Sequence, residues 1–353
     1  MSLTLHVDGA RWRAHLGRVV ADNPGIVPVA KGNGYGFGLP RLARETTKLG
    51  LETLAIGTYD ELGKVTTRFP GDLLVLTPWR PFGTATEVDP NERVIHTVSR
   101  LEDLERLLDY DPNARFVVER MTKMLRHGMS PRELRDAAKL LTGLEGPGRH
   151  PRLEGVAFHL PLASGANLSQ ARRLMTDVVA SGLATNTIWV SHLTGSDLAS
   201  LRASYGDFSF RPRIGTDLWL GDRDNLKVSA TVLDVHTVER GDTYGYRGRT
   251  APVAGTILVV SGGTSHGIGL EAPAGDLSLR SRAATLARGG MDAAGFVRSP
   301  YSVFGRQRFF AEPPHMQASM LFLHQGAVVP KVGDETEVRV RYTATTFDKV
   351  IVS

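Results

Sequence analysis

Lys31 follows a short apolar run, Ile26-Val-Pro-Val-Ala30, and opens a glycine-rich turn that carries one tyrosine, Gly32-Asn-Gly-Tyr35-Gly-Phe-Gly38. Only eight of the 42 basic residues are lysines, so a lysine in this position is not a casual surface charge. An amine held at a strand end and partly desolvated loses its proton more readily than in water. It can then condense with an aldehyde to a Schiff base. Other chemistry-bearing residues recur at the ends of apolar runs or in small-residue turns. His159 ends Val156-Ala-Phe158, and His192-Leu-Thr194-Gly195-Ser196 follows another apolar run. Arg213-Ile-Gly215-Thr216 joins an arginine to a small-residue turn, with Arg211 two residues earlier. Arg126 lies in Met124-Leu-Arg126-His-Gly128, seven residues after Glu119. Hydroxyls and free N–H groups at a helix start suit a dianion. A guanidinium donates hydrogen bonds and keeps its proton. Structural readings stand beside these: a histidine satisfied in a core, an ordinary helix cap at Thr194, an ion pair of Glu119 with Arg126.

The elements that must position these residues alternate strand and helix over the first two thirds of the chain. The apolar pattern predicts strands over 26–30, 53–56, 72–76, 115–119, 155–159 and 187–192, and helices over 40–49, 61–68, 101–108, 131–141 and 169–181. Short-spaced β-α alternation argues for a parallel sheet, either closed into a barrel or wound open. The pattern changes near Gly221. Beyond it, β-branched runs at 228–238, 256–260, 328–329 and 337–342 predict a second, all-β domain, with 262–269 and 312–315 as loops.

The chain has 353 residues, with formal net charge +5. Its basic residues are scattered among acids, which argues against nucleic acid and leaves an anionic small ligand as a fitting partner. No run approaches the ~18–20 apolar residues of a membrane span, and nothing near residue 1 reads as a secretory signal, so the expected address is cytoplasmic. Cysteine is absent, which excludes disulfides, cysteine-based zinc sites and cysteine nucleophiles. No metal site is expected.

With these segments in view, Val29-Ala-Lys31-Gly-Asn-Gly-Tyr35-Gly-Phe-Gly38 above all, the chain resembles a divergent member of the alanine racemase family, the two-domain branch of the fold type III pyridoxal-phosphate enzymes. The resemblance covers nearly the whole length. It implies an α/β fold, with an N-terminal (β/α)8 TIM-type barrel over 1–222 that binds the cofactor. A C-terminal all-β domain over 223–353 would contribute to the partner subunit's active site in a head-to-tail homodimer. It implies pyridoxal 5′-phosphate as cofactor, a small amino acid as substrate, with alanine leading, and racemisation by removal of the α-proton from the substrate–cofactor Schiff base. Lys31 would hold the cofactor and shuttle the proton on one face. Tyr35, Ser196, Thr194, Gly215 and Thr216 would hold its phosphate. His159 would lie against the pyridine ring and Arg213 would face the pyridine nitrogen, with Arg211 taking that place if the register shifts by two. Arg126 would contact the substrate carboxylate, Glu119 standing where the family often has a carbamylated lysine. Met316 would bind substrate through its backbone.

The departure lies in Gly262-Gly263-Thr264-Ser265-His266-Gly267. Thr264 stands where the family has the tyrosine that serves as second base. A threonine hydroxyl is too weakly acidic to replace a phenol of pKa about 10. Histidine is the side chain suited to proton transfer near neutral pH, which makes His266 the candidate for that role, although it also reads as a loop residue for a substrate carboxylate. The stretch between Ser278 and Tyr301 looks longer than usual. The alternatives are another fold type III activity, a decarboxylase or lyase, or a degenerate non-catalytic binder of the same cofactor. The first is weakened by the missing cysteine.

Overall fold

A computed structural model describes residues 2–144, 150–162, 165–270 and 297–353. Most of the long stretch before Tyr301 therefore lies outside the described residues. The chain divides into two compact units, Arg13–Gly221 and Met1–Trp12 with Asp222–Ser353.

The first unit is a closed barrel of eight parallel strands in sequence order. They are β2 (Val27–Ala30), β3 (Thr53–Ile56), β4 (Asp72–Val75), β5 (Val94–Val98), β6 (Arg115–Arg120), β7 (Arg152–His159), β8 (Thr187–Ser191) and β9 (Ser209–Ile214). They follow β1 (Leu3–Val7), a strand of the other unit, and α1 (Gly9–Asp22). The later helices are α2 (Leu39–Lys48), α3 (Leu62–Val65), α4 (Leu101–Tyr110), α5 (Pro131–Gly143), α6 (Asn167–Ser181), α7 (Gly195–Ser204) and α8 (Thr216–Leu220). The helix expected over 61–68 is shorter: Tyr59–Glu61 form a 3-10 turn and only α3 follows it. α5 begins where Ser130 and Glu133 cap each other's backbone N–H groups, a reciprocal arrangement that satisfies two otherwise orphaned donors.

Side chains alternate across a strand, and in a closed parallel barrel the inward positions must fill the bore. Val27, Val29, Ala55, Leu74, Ile95, Val117, Ala157 and Trp189 form that apolar layer. At the N-terminal end of the strands a polar network takes over. Arg115 donates to both carboxylate oxygens of Asp72 at 2.7 Å and to Glu154 at 2.7 Å. Arg211 lies over the Trp189 ring at 4.2 Å and donates to Thr53 Oγ1.

The second unit is antiparallel except at one edge. Its remaining strands are β10 (Leu226–Val238), β11 (Thr243–Tyr244), β12 (Arg249–Thr250), β13 (Gly255–Ser261), β14 (Arg298–Val303), β15 (Arg306–Phe310), β16 (Ala318–His324), β17 (Glu335–Val338) and β18 (Lys349–Val352). The sheet runs β13-β16-β15-β14-β17-β10-β1-β18, and β10 also pairs with β13. β1 pairs antiparallel with β10 and parallel with β18. The division expected at 222 thus differs at the N-terminal side: residues 1–12 group with the all-β unit, because β1 finds its hydrogen-bonding partners there. Residues 328–329, expected as a strand, are irregular, and the strand expected over 337–342 is Glu335–Val338. No described helix is long and apolar enough to cross a membrane.

Candidate active site

Parity brings the chemistry to the C-terminal ends of the barrel strands. Since Val27 and Val29 point into the bore, Lys31 continues the same inward row. Val117 is followed two residues on by Glu119, and Ala157 by His159. On β9, Arg213 is the inward position next above Arg211, whose neighbours Thr53 and Trp189 put it towards the other end.

Lys31 remains open to solvent at its end of the barrel. Its amine is nevertheless held below the ordinary lysine range, first by partial burial and then by the positive charges of Arg126 and Arg213, while Glu61 opposes the shift. Glu61 was not visible as a site residue in the sequence. It is 7% exposed, and its two oxygens accept from the N–H groups of Gly32 (2.6 Å) and Gly57 (2.7 Å). It ties the turn that carries Lys31 to the end of β3. A Cβ on Gly57 would lie 3.0 Å from both Glu61 Oε2 and Lys31 Cβ, so the glycine admits both side chains.

Tyr35 is buried with left-handed backbone, φ 56°. Burial, then Asp217 and Glu61, push its phenol up to about 12, so it stays a neutral donor at physiological pH. A Cβ at Gly215 would fall 2.0 Å from the Tyr35 hydroxyl oxygen, so that hydroxyl reaches the start of α8 only because residue 215 lacks a side chain. Trp219 Nε1 donates to the Val29 carbonyl at 2.8 Å, anchoring α8 to β2. At the start of α7, Thr194 and Asp197 cap each other, and Thr194 Oγ1 lies 2.9 Å from Ser196 Oγ. Gly215–Thr216 and Thr194–Ser196 therefore offer hydroxyls and helix-start N–H groups, the donor set an oxyanion needs.

Arg213 and Glu119 are both buried. Arg213 Nη2 donates to the Phe158 carbonyl at 2.9 Å, while its Nε and Glu119 Oε2 have no hydrogen-bond partner among the described residues. Burial pulls Arg213 down to about 10 against the charge of Glu119. Burial also raises the Glu119 carboxyl, with Arg213, Arg126 and Arg80 opposing. His159 is pushed down to about 3 by burial and then by Arg213, Arg126, His192 and Lys31, which keeps its ring neutral. It meets the His192 ring edge-on, centroids 5.3 Å apart.

The family model described as alanine racemase, N-terminal domain, matches residues 10–219. The chain belongs to the alanine racemase family. Structures across that family share its fold. The alanine racemase from Bartonella henselae, with covalently bound pyridoxal phosphate, is similar at TM-score 0.73 and 18% identity, over 100% of both chains. The alanine racemase from the D-cycloserine producer Streptomyces lavendulae matches at 0.70 and 17%, covering 100% of this chain and 97% of that one. The one from E. faecalis matches at 0.69 and 17%, covering 99% and 98%. No protein of curated function matches the sequence.

Of the residues singled out from the resemblance to the alanine racemase family, Lys31, Tyr35, Arg126, His159, Thr194, Ser196, Arg213, Gly215 and Thr216 belong to strand ends, or the loops that follow them, at one end of the barrel. Arg211 is engaged at the other end. In the all-β unit, His266 is buried, with Nδ1 accepting from the Gly263 N–H at 3.2 Å and Nε2 3.1 Å from Asp348 Oδ1. Burial raises Asp348, but hydrogen bonds from the Leu3 N–H and from His266 outweigh it and leave the carboxyl below its usual value. Both ring nitrogens of His266 are thus committed within the fold, whereas a general base needs one free for the proton it takes. Thr264 and Met316 border a separate cavity of that unit.

Proposed function

We propose that this chain is a pyridoxal-phosphate-dependent amino-acid racemase, acting on alanine or a similarly small amino acid as a head-to-tail homodimer in the cytoplasm. The observation that carries the proposal is an easily deprotonated amine, Lys31, at the same strand ends as an oxyanion cradle and a buried arginine with an idle donor. Among the described residues Arg213 Nε and Glu119 Oε2 are buried polar atoms without partners, and the space that Gly215 leaves is filled by a phenol hydroxyl. The idle donor of Arg213 fits a pyridine nitrogen, and the hydroxyls of Tyr35, Thr194 and Ser196 fit a phosphate. The covalently bound pyridoxal phosphate of the Bartonella relative supports the same reading.

When bound, the cofactor supplies an electron sink that weakens the substrate's Cα–H bond. The chain's residues do the rest. Lys31 Nζ would hold the cofactor's aldehyde carbon and would take or return a proton on one face of Cα. Tyr35, Thr194, Ser196 and the N–H groups at Gly215 and Thr216 would hold the phosphate. Arg213 would donate to the ring nitrogen without giving up its proton, which would keep the sink weak and suit simple proton return. His159, neutral, would pack against the ring. Arg126 pairs with the substrate carboxylate, and Glu119 balances the two arginines.

Borohydride reduction of protein incubated with pyridoxal phosphate, followed by peptide mapping, is expected to find the pyridoxyl adduct on Lys31. No adduct on that residue ends the proposal. Adduct formation without α-hydrogen exchange for any amino acid identifies a non-catalytic binder instead.

A further inference from the structure

We propose that Thr122 is a positioning residue: its hydroxyl ties the loop that carries Arg126 to the end of β7 that carries His159, and so fixes where that guanidinium stands at the site. This rests on the racemase reading above, in which Arg126 meets the substrate carboxylate. All the residues concerned lie in the barrel unit.

The loop follows β6 and closes at its base. The Met121 N–H donates to the Met129 carbonyl at 3.0 Å, and the Met129 N–H donates to the Glu119 carbonyl at 2.7 Å. Arg120 Nη1 donates to the Met121 and Met129 carbonyls at 2.7 and 3.1 Å, and its Nη2 donates to Asp177 Oδ2 at 2.8 Å. A Cβ on Gly128 would fall 2.3 Å from the Met121 nitrogen, and φ there is 130°, so glycine is what lets the two legs approach. Above this base the chain turns. The Leu125 N–H donates to the Thr122 carbonyl at 3.1 Å, and Leu125, 77% exposed, is left-handed at φ 52°. A side chain disfavours that backbone region. An exposed leucine recovers nothing by burial, so something else must hold the turn that delivers Arg126.

Thr122 supplies the hold. It is buried, although its neighbours Lys123, Leu125 and Arg126 are exposed. Its Oγ1 donates to the His159 carbonyl at 2.7 Å and accepts the Met124 N–H at 3.2 Å. One hydroxyl therefore spends its proton on β7 and a lone pair on the turn. The end of β7 is fixed from two other sides. Arg213 Nη2 holds the Phe158 carbonyl, and Asn167 Nδ2 donates to the Pro161 and His192 carbonyls at 2.9 and 2.8 Å. Thr122 thus refers the Arg126 turn to a point that does not depend on that turn. Arg126 makes no hydrogen bond or ion pair among the described residues, so its backbone aims it. Its charge is nevertheless felt at Lys31, Glu119 and His159, which puts it beside the strand-end cluster.

Both Thr122 hydrogen bonds end on backbone atoms, so its effect on substrate runs through Arg126. A guanidinium displaced by about 1 Å meets a carboxylate less well. That pairing is the same before and during proton transfer, so its loss raises KM and leaves kcat nearly alone.

Three measurements on the full chain test this. The first, amide hydrogen exchange, needs neither cofactor nor substrate. Thr122→Val keeps the shape and deletes the hydroxyl, and should speed exchange of the 122–128 peptide about tenfold. Thr122→Ser, which keeps the hydroxyl, should stay within about two-fold of the parent. Unchanged exchange in Thr122→Val overturns the proposal. Thr122→Ala carries the same expectations should the valine variant not fold. The second is steady-state racemisation by the holoenzyme. Thr122→Val should raise KM about tenfold with kcat within a few-fold and the Lys31 adduct still forming, and Thr122→Ser should restore the parental KM. A loss confined to kcat overturns the proposal. The third places Thr122→Val in Arg126→Met, where KM should rise no further. A second rise of the same size shows a role independent of Arg126 and overturns the proposal. A parent chain that forms no adduct on Lys31 is the distinct failure, that of the racemase reading. It removes the substrate carboxylate from the proposal, and the exchange result still decides the tie between the loop and β7.

Discussion

Removing the Glu61 carboxylate tests whether it is the clasp of the Lys31 turn. In Glu61→Ala two N–H donors, on Gly32 and Gly57, lose charged acceptors at 2.6 and 2.7 Å. A hydrogen bond to a charged group contributes about 1.5–3 kcal/mol, so the two together bound the loss at roughly 3–6 kcal/mol. Gly32 is exposed and Gly57 half-buried, so water replaces part of it. The expected net loss is about 2–3 kcal/mol. Glu61→Gln is not a benign substitute, because its amide offers one acceptor and one donor to two donors. It should lose about half as much. The charge has a second effect. Among the described residues Glu61 is the group that raises Lys31 against burial, Arg126 and Arg213. Without it the Lys31 amine releases its proton at lower pH, and the pH midpoint for its reaction with an amine-selective aldehyde moves down in both variants. Urea unfolding gives the first number and a pH series of aldehyde trapping gives the second. A loss below about 0.5 kcal/mol, or a midpoint that stays put or rises, refutes the clasp.

Gly215→Ala drives a methyl group into the Tyr35 hydroxyl. It should destabilise the fold by about 1–3 kcal/mol and weaken pyridoxal-phosphate retention, both read by thermal melts with and without cofactor. Arg115→Met should cost about 2–4 kcal/mol, because two partly buried carboxylates lose their shared cation, while adduct formation at Lys31, at the other end of the strands, continues. Burial holds His96 down at about 4. A histidine whose folded pKa lies below its unfolded 6.5 binds its proton only on unfolding, so stability falls as pH drops from about 6.5 towards 4. The bound is about 3 kcal/mol. His96→Gln should flatten that part of the acid unfolding curve; an unchanged slope assigns the acid sensitivity elsewhere.

The barrel was legible where strands are unbroken apolar runs, as at Val27–Ala30, Thr53–Ile56 and Thr187–Ser191. It was illegible at β5, whose Val-Ile-His-Thr-Val carries buried polar residues. β9 was hidden because Arg211 and Arg213 occupy its inward positions, inverting the usual pattern. β1 was missed because its assignment rests on pairing with strands more than two hundred residues away. Val328 and Val329 read as strand by composition, but Pro330 follows and the segment makes no ladder. In the site, residue types at strand ends were readable because alternation fixes which side chains point inward. Glu61 and Thr122 were not, because their partners are backbone groups brought together by different strand ends.

β1 sits between β10 and β18, and the Gly9 N–H donates to the Ser353 carbonyl at 2.7 Å. β1 can pair with β10 first, but its other edge must wait until β18, far later in the chain, has been made. The eight barrel strands are synthesised meanwhile and can close among themselves. Completion of the all-β unit waits for β18, so a pulse-labelled nascent chain should acquire a protease-resistant barrel first and a resistant sheet only once residues 349–352 have been made.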